Sequence, residues 1–322
     1  MASVPAVCVS GGRVLADRPP MGVFVGLTTL DLLQVVDEPV APNVKLQATE
    51  CLLAAGGPAA NAAVAFGALG GKAQLLSSLG GGPLAAVARN DLYVHGVEVI
   101  DWSADATTDK LPLSSAAVYS RTGERCVISM NAEDQGGFTG TPEASKSAKV
   151  VLVDGHYAGR SLEVIDGLLM GVPIIMDAGS WKVPAEPLLH RAAAVVCSAN
   201  FQPPGTNCED VTRYLVDLGV RFAAVSRGDS DVTWRTADDM GTVRPPKVRV
   251  VDTLGAGDVL HGAFAYFVAR QLAGDYDVPL SAWVESLESA IAVASFSCQF
   301  SGTRAWISEI SKRSTVGTSR TW

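Results

Sequence analysis

The stretch 250 to 264, VVDTLGAGDVLHGAF, holds the residues best suited to chemistry. An apolar run ends at Asp252-Thr253, and a turn of very small residues, Gly255, Ala256 and Gly257, opens a predicted helix. With so little side chain in the way, the N–H groups of that turn can approach a bound anion while the helix dipole points at it. Such a cradle suits the charge that develops on a transferred phosphoryl group. Asp258, in the first helical turn, can accept the proton of an attacking hydroxyl. Asp is also a favoured residue at helix starts, so the turn alone leaves open whether it is a reactive loop or a capped strand-to-helix junction.

Two further places carry polar groups that could meet a ligand. In 56 to 61, GGPAAN, the paired Gly56 and Gly57 let the backbone come close, and Asn61 offers both donor and acceptor to a sugar-like hydroxyl. Pro58 makes the same segment an ordinary helix start. Asp31 leaves the first strand in GLTTLD. At the carboxyl end of a strand in an open α/β sheet, a carboxylate points into the ligand crevice and can hold two adjacent hydroxyls. Other phosphate loops are excluded: a P-loop alignment at 66 to 73 lacks its first Gly and final Ser/Thr, and GAGDVL fails the dinucleotide fingerprint at its sixth position. His95, His190 and His261 stand singly and receive no role.

The elements that must position these groups alternate. Short apolar runs at 22–27, 74–79, 149–154, 172–177, 194–198 and 221–226 predict strands, and Ala/Leu-rich segments at 58–70, 83–95, 160–170, 209–219, 258–272 and 282–298 predict helices. The pattern implies an α/β fold, a doubly wound and mostly parallel sheet flanked by helices. Segments 32–52 and 113–132 break the rhythm, the second around a turn at Thr122-Gly123, and predict a small antiparallel sheet over the site. Such a sheet serves as a lid that excludes water, and its free side predicts a homodimer. Residues 1–20 read as a flexible extension, without the basic start of a secretory signal, and 21–322 as one domain. An apolar share of 48% is ample for a core between two helix layers. The net charge of −8, without a run of Lys and Arg, argues against nucleic acid as a partner. No 18-residue apolar stretch argues against a membrane. Six scattered cysteines, with no paired metal-ligand spacing, read as thiols of a cytoplasmic protein.

GLTTLD, GGPAAN and DTLGAGD (252 to 258), in this order and spacing, resemble the PfkB, or ribokinase-like, family of carbohydrate kinases across nearly the whole chain. GLTTLD, TGERCVISMN and GGPAANAAVAFGALG are most similar to its ketohexokinase and sulfofructose kinase branch. The resemblance implies an ATP-dependent kinase for a small sugar, a ketose such as fructose favoured. Asp258 would be the base, Gly255 to Gly257 the anion hole, and Asp31, Gly56, Gly57 and Asn61 the sugar contacts. It adds Arg125 and Lys45 from the lid and His156, which stands where the sulfofructose enzymes present arginine. For the nucleotide it implies Ser226 and Gly228, with Asn200, Thr253, Gly255 and Gly257. Asp231 replaces a glycine of the usual turn, and the usual Asn-x-x-Glu motif is missing near Asn200. Mg2+ would arrive with ATP, and Asp252 with Thr253, next to carbonyls of 297–302, would make a site for K+. A kinase for a nucleoside or other hydroxylated metabolite, or a non-catalytic sugar sensor on the same fold, are the alternatives.

Overall fold

The structure is a computed structural model that describes residues 18–103, 111–122, 124–130, 144–168, 171–207, 209–272 and 277–316. Most of the expected N-terminal extension, Gly123 of the lid turn, the end of the second lid segment, residues 169–170 of one helix, Cys8 and Cys208 lie outside the described residues.

In chain order the strands are β1 (Met21–Val25), β2 (Thr29–Val36), β3 (Glu50–Gly56), β4 (Lys72–Ser77), β5 (Val97–Asp101), β6 (Leu113–Tyr119), β7 (Arg125–Ser129), β8 (Val150–Val153), β9 (Ile174–Ala178), β10 (Ala194–Ser198), β11 (Phe222–Arg227), β12 (Ser230–Arg235) and β13 (Met240–Val243). The helices are α1 (Pro58–Ala68), α2 (Pro83–Val94), α3 (Ala158–Asp166), α4 (Glu186–Leu189), α5 (Val211–Asp217), α6 (Ala256–Gln271), α7 (Leu280–Ser297) and α8 (Ala305–Val316), with a 3-10 turn at Val183–Ala185. The large sheet runs β13-β12-β11-β10-β9-β8-β1-β4-β5. From β11 to β5 all its pairs are parallel, and β12 and β13 close one edge as an antiparallel ribbon. This is a doubly wound α/β architecture, with the second sheet, β3-β2-β6-β7, laid over it as a lid.

Period-two alternation sorts each central strand between two cores. In β1, Phe24 packs with the cluster under α1, α6 and α7, while Val23 and Val25 pack with the one under α3, α4 and α5. In β10, Ala194 and Val196 go to the first and Val195 and Cys197 to the second. Continuous apolar runs are what a strand buried on both faces requires.

A tight helix pairing sets the site. Gly262 of α6 sits so tightly on α1 that a Cβ would come within 2.2 Å of the Ala62 carbonyl oxygen. That contact places the start of α1, with Asn61, beside the start of α6, with Asp258.

The lid departs from the two expected segments in detail. In segment 32–52 the antiparallel strands β2 and β3 flank an exposed connection, 37 to 49, that includes Lys45. β2 also pairs parallel with β6, so the lid is mixed rather than antiparallel throughout. Directly paired residues share a face of a sheet, and the row Ala54, Asp31, Ser114, Ser129 faces the large sheet.

Candidate active site

A cavity of about 240 Å3 lies between lid and sheet, lined by Asp31, Ser114 and Ser129 from the lid side and by Gly57, Asn61, Gly255, Asp258 and Thr303 from the body. Its floor is the first turn of α6. Gly255 precedes that helix with φ of 72°, in the left-handed region, and a Cβ there would lie 2.8 Å from the Thr303 Cγ2. Only glycine meets both conditions without strain. Gly57 does the same before α1: φ is 92°, and a Cβ would stand 2.4 Å from the Leu27 carbonyl oxygen. Gly56 gives its side-chain space to the Asp31 carboxylate.

Asp258 Oδ2 accepts a hydrogen bond from Asn61 Nδ2 at 2.7 Å. The orientation of that amide is decided by its other end, since Arg304 Nη1 donates to Asn61 Oδ1 at 2.9 Å and a guanidinium can only donate. Arg304 is itself held by Ala55 O at 2.6 Å and Asp91 Oδ2 at 3.2 Å. Asp91 in turn accepts the Ala55 N–H at 3.0 Å. Burial raises the Asp91 proton affinity, but His95, Arg304 and that N–H outweigh it and hold the carboxyl below its ordinary range. Arg304 and Asp91 are residues the sequence reading did not find. The arginine is 243 residues from Asn61, and nothing in SGTRAW marks it as part of a site.

Burial, and then the neighbouring Asp177, push Asp258 up to about 7, against the Asn61 hydrogen bond and His261. Asp31 is also raised by burial, opposed by the Thr29 hydroxyl, which donates to it at 2.7 Å, and by Arg304. Two carboxylates therefore face one small cavity with proton affinities above the usual range, as acid–base work requires.

Asp154 supports the walls from behind. Its Oδ2 accepts the N–H groups of Leu27 at 2.8 Å and Ala59 at 3.2 Å, joining the loop after β1 to the first turn of α1. His156 donates its backbone N–H to Asp154 Oδ1 at 2.9 Å, and its ring lies 3.2 Å from the same oxygen. Burial raises Asp154, but the His156 ring and these N–H groups bring it below its ordinary value.

Of the other expected contacts, His156 and Lys45 are not among the residues lining the cavity. Arg125 reaches from the lid towards Asp252, at 3.8 Å, rather than into it. Asn200, Ser226 and Gly228 stand just beyond or at the carboxyl ends of the adjacent strands β10 and β11, where Ser198 pairs with Ser226. Ser226 Oγ donates to Cys197 O at 3.1 Å. Asp231 lies in β12 in an ion pair with Arg244, at 2.8 Å, so the departure from glycine is absorbed by a strand edge. The N–H of Ala256 donates to Thr253 O at 3.2 Å and closes the turn.

For an ion, the donor sets differ. Asp252 accepts the N–H of Leu254 on Oδ1 at 2.9 Å and that of Gly302 on Oδ2 at 2.8 Å, with Arg125 beside it. The Cys298 carbonyl accepts the N–H groups of Val251 and Asp252. The N–H groups of Leu254 and Gly302 and the Arg125 guanidinium compete with K+ for the Asp252 carboxylate. Among the described residues no cluster of three acidic, His or Cys side chains could hold a metal by itself, so Mg2+ would be held through nucleotide phosphates.

A family model described as pfkB family carbohydrate kinase matches residues 21–164 and 194–310. The chain belongs to the PfkB family of carbohydrate kinases. Its reaction class is thus ATP-dependent phosphorylation of a sugar. The kinase is 23% identical over 310 residues to a deoxyribokinase from Salmonella typhi, covering 87% of this chain and 93% of that protein. Its fold matches that of the ribokinase from Thermotoga maritima with a TM-score of 0.70 at 19% identity, over 92% of this chain and 100% of that one. Aminoimidazole riboside kinase from Salmonella enterica matches with a TM-score of 0.64 at 19% identity, over 91% and 99%. No helix among the described residues is long and apolar enough to cross a membrane.

Proposed function

We propose that this kinase phosphorylates a hydroxyl of a single small sugar with Asp258 as the general base. The observation that carries the reading is the position of Asp258 at the start of α6, on the floor of a cavity whose opposite side holds Asp31. At about 240 Å3 the space is below the ~300–1,000 Å3 usual for drug-sized ligands, and suits a monosaccharide. Asp31, Ser114, Ser129 and Asn61 supply hydroxyl partners of both kinds.

In this reading Asn61 occupies Asp258 Oδ2 and leaves Oδ1 to take the proton of the attacking hydroxyl. N–H groups in the first turn of an α-helix lack intrahelical partners; the Ala256 N–H is taken by Thr253 O, so the N–H groups of Gly255 and Gly257, with the α6 dipole, stabilise the charge on the moving phosphoryl group. Mg2+, carried by ATP, neutralises phosphate charge. The nucleotide lies along Asn200, Ser226, Gly228 and Thr253, and residues 21–322 act as one domain. Lid closure over the sugar excludes water. Arg125 then acts on the GAGD turn through Asp252 in place of a potassium ion, and Lys45 and His156 serve only if lid movement brings them nearer.

A ketose remains the acceptor drawn from the motifs, and a cytoplasmic homodimer paired through the lid the working form. The likeness to a deoxyribokinase makes a pentose the rival, and the riboside kinase likeness a nucleoside. The test is ADP release from Mg-ATP over ketoses, pentoses, deoxypentoses, sulfosugars and nucleosides, in potassium and in tetramethylammonium salts. One accepted sugar, with turnover lost in Asp258→Asn, is the expected result. Sugar binding without turnover on any compound would make the chain a sensor.

A further inference from the structure

His261 follows Asp258 by three positions on α6, one turn further into the protein. Strand alternation brings Asp177 to the same side: Ile175 of β9 packs with the core under α6, Met176 with the opposite core, and Asp177 again faces α6. The two side chains meet with His261 Nδ1 3.2 Å from Asp177 Oδ2, and each is only 6% exposed.

The other ring nitrogen settles the protonation. His261 Nε2 lies 3.0 Å from the Val196 carbonyl oxygen, which can only accept, so Nε2 carries a hydrogen. A neutral ring would then turn a bare Nδ1 lone pair towards the carboxylate. Two acceptors facing each other in a buried site repel, so a proton lies between Nδ1 and Asp177, on one or the other. Nδ1 makes no hydrogen bond of good geometry, so its 3.2 Å approach to Asp177 is a charge contact, and the Gly257 carbonyl is a further acceptor near the ring. The charged groups that face this pair are Asp258 from α6, Asp154 and His156 from the end of β8, and Lys182 after β9.

We propose that His261 and Asp177 share one buried proton beneath Asp258 and keep the space behind it electrically neutral, so that no bare negative charge stands behind the base. The inference rests on Asp258 as the base. Neither residue lines the cavity; both act through Asp258 as positioning residues. Burial, then Asp154, push Asp177 up to about 8, and burial with Asp177 pushes Asp258 up to about 7 while His261 draws it down.

The test measures kcat/KM against pH in wild type, Asp177→Asn and His261→Asn. Removing the carboxylate should move the acid limb down, and removing the imidazole should leave Asp177 uncompensated and move it up, each by on the order of 1 pH unit. A fall in kcat with an unmoved limb in both variants would mean a packing role and overturn the proposal. Should the variants fail to fold, nitrogen-15 spectra of histidine-labelled wild type decide. Nε2 should stay protonated throughout, and Nδ1 should shift with the midpoint of the acid limb. A bare Nε2, or an Nδ1 that titrates independently, would overturn the couple. Turnover retained in Asp258→Asn would instead remove the base assignment, while the spectra would still report on the couple.

Discussion

At the residue scale, catalysis and stability pull Asp258 in opposite directions. Its folded proton affinity, about 7, lies above the ordinary 3.8 of a carboxyl. A raised affinity contributes stability that is complete below the unfolded value and lost as pH rises through the folded one. Asparagine mimics the protonated form and can still accept from Asn61. Asp258→Asn should therefore melt like wild type near pH 4 and at a higher temperature near pH 8, while turnover falls by roughly 100- to 10,000-fold. Equal melting curves at pH 8 would show that Asp258 is not under this pressure. Arg304 is a second residue-scale case, since its guanidinium orients Asn61 and compensates Asp91. Arg304→Met leaves the Asp91 carboxylate without its arginine, a change that costs about 3–5 kcal/mol in comparable pairs. Arg304→Lys keeps the charge but loses the fork that reaches both Asn61 and Asp91. It should fold near normally in urea titration yet lose kcat more than it changes KM.

Between elements, the position of Asn61 against Asp258 depends on how closely α1 and α6 approach. Gly262→Ala would place a methyl group 2.2 Å from the Ala62 carbonyl oxygen, and the helices must part. Overpacking of this kind costs about 1–3 kcal/mol, and the Asn61 bond to Asp258 should lengthen. The expected outcome is a lower denaturation midpoint together with a fall in kcat, although the residue touches no ligand. Unchanged kcat would show that the site tolerates helix separation. This dependence also marks how far the sequence could be read. Strands β1, β4, β8, β9, β10 and β11 were legible because burial on both faces demands unbroken apolar runs. β12 (SDVTWR) and β13 are half-exposed edge strands without such a run, and they went unseen. α8 buries Trp306 and Ile310 on one narrow stripe of a polar segment, too little period to register. Asn61 and Asp258 were found through their glycine-rich surroundings, whose small residues serve close approach, and Asp31 through its place just after the first strand. Arg304, Asp91 and Asp177 lie in stretches with no such signature; long-range folding alone brings them to the site.

For the whole molecule, the lid has one face on the cavity and one that nothing among the described residues covers at its outer half. The pairing rows Leu53, Leu32, Ser115, Ile128 and Cys51, Gln34, Ala117, Cys126 lie on that outer face. Leu53 is 45% and Ile128 75% exposed, and both cysteines are exposed. The apolar part of that face, Leu53 and Ile128 foremost, is unfavourable in water by about 25 cal/mol for each Å2 left uncovered. A second copy laid on it, lid to lid, would bury the same rows twice, as a two-fold interface does. Light scattering should therefore give twice the chain mass for the wild type. Leu53→Asp with Ile128→Asp should give the monomer, because paired carboxylates at the centre of that interface would face their own copies. Both side chains sit outside the cavity row, so the large sheet should melt as before. Turnover should fall mainly through KM, since an unsupported lid closes less often over the sugar. A wild type that scatters as a monomer at assay concentration would leave the outer face unpaired, and the lid would then have to close without a partner behind it.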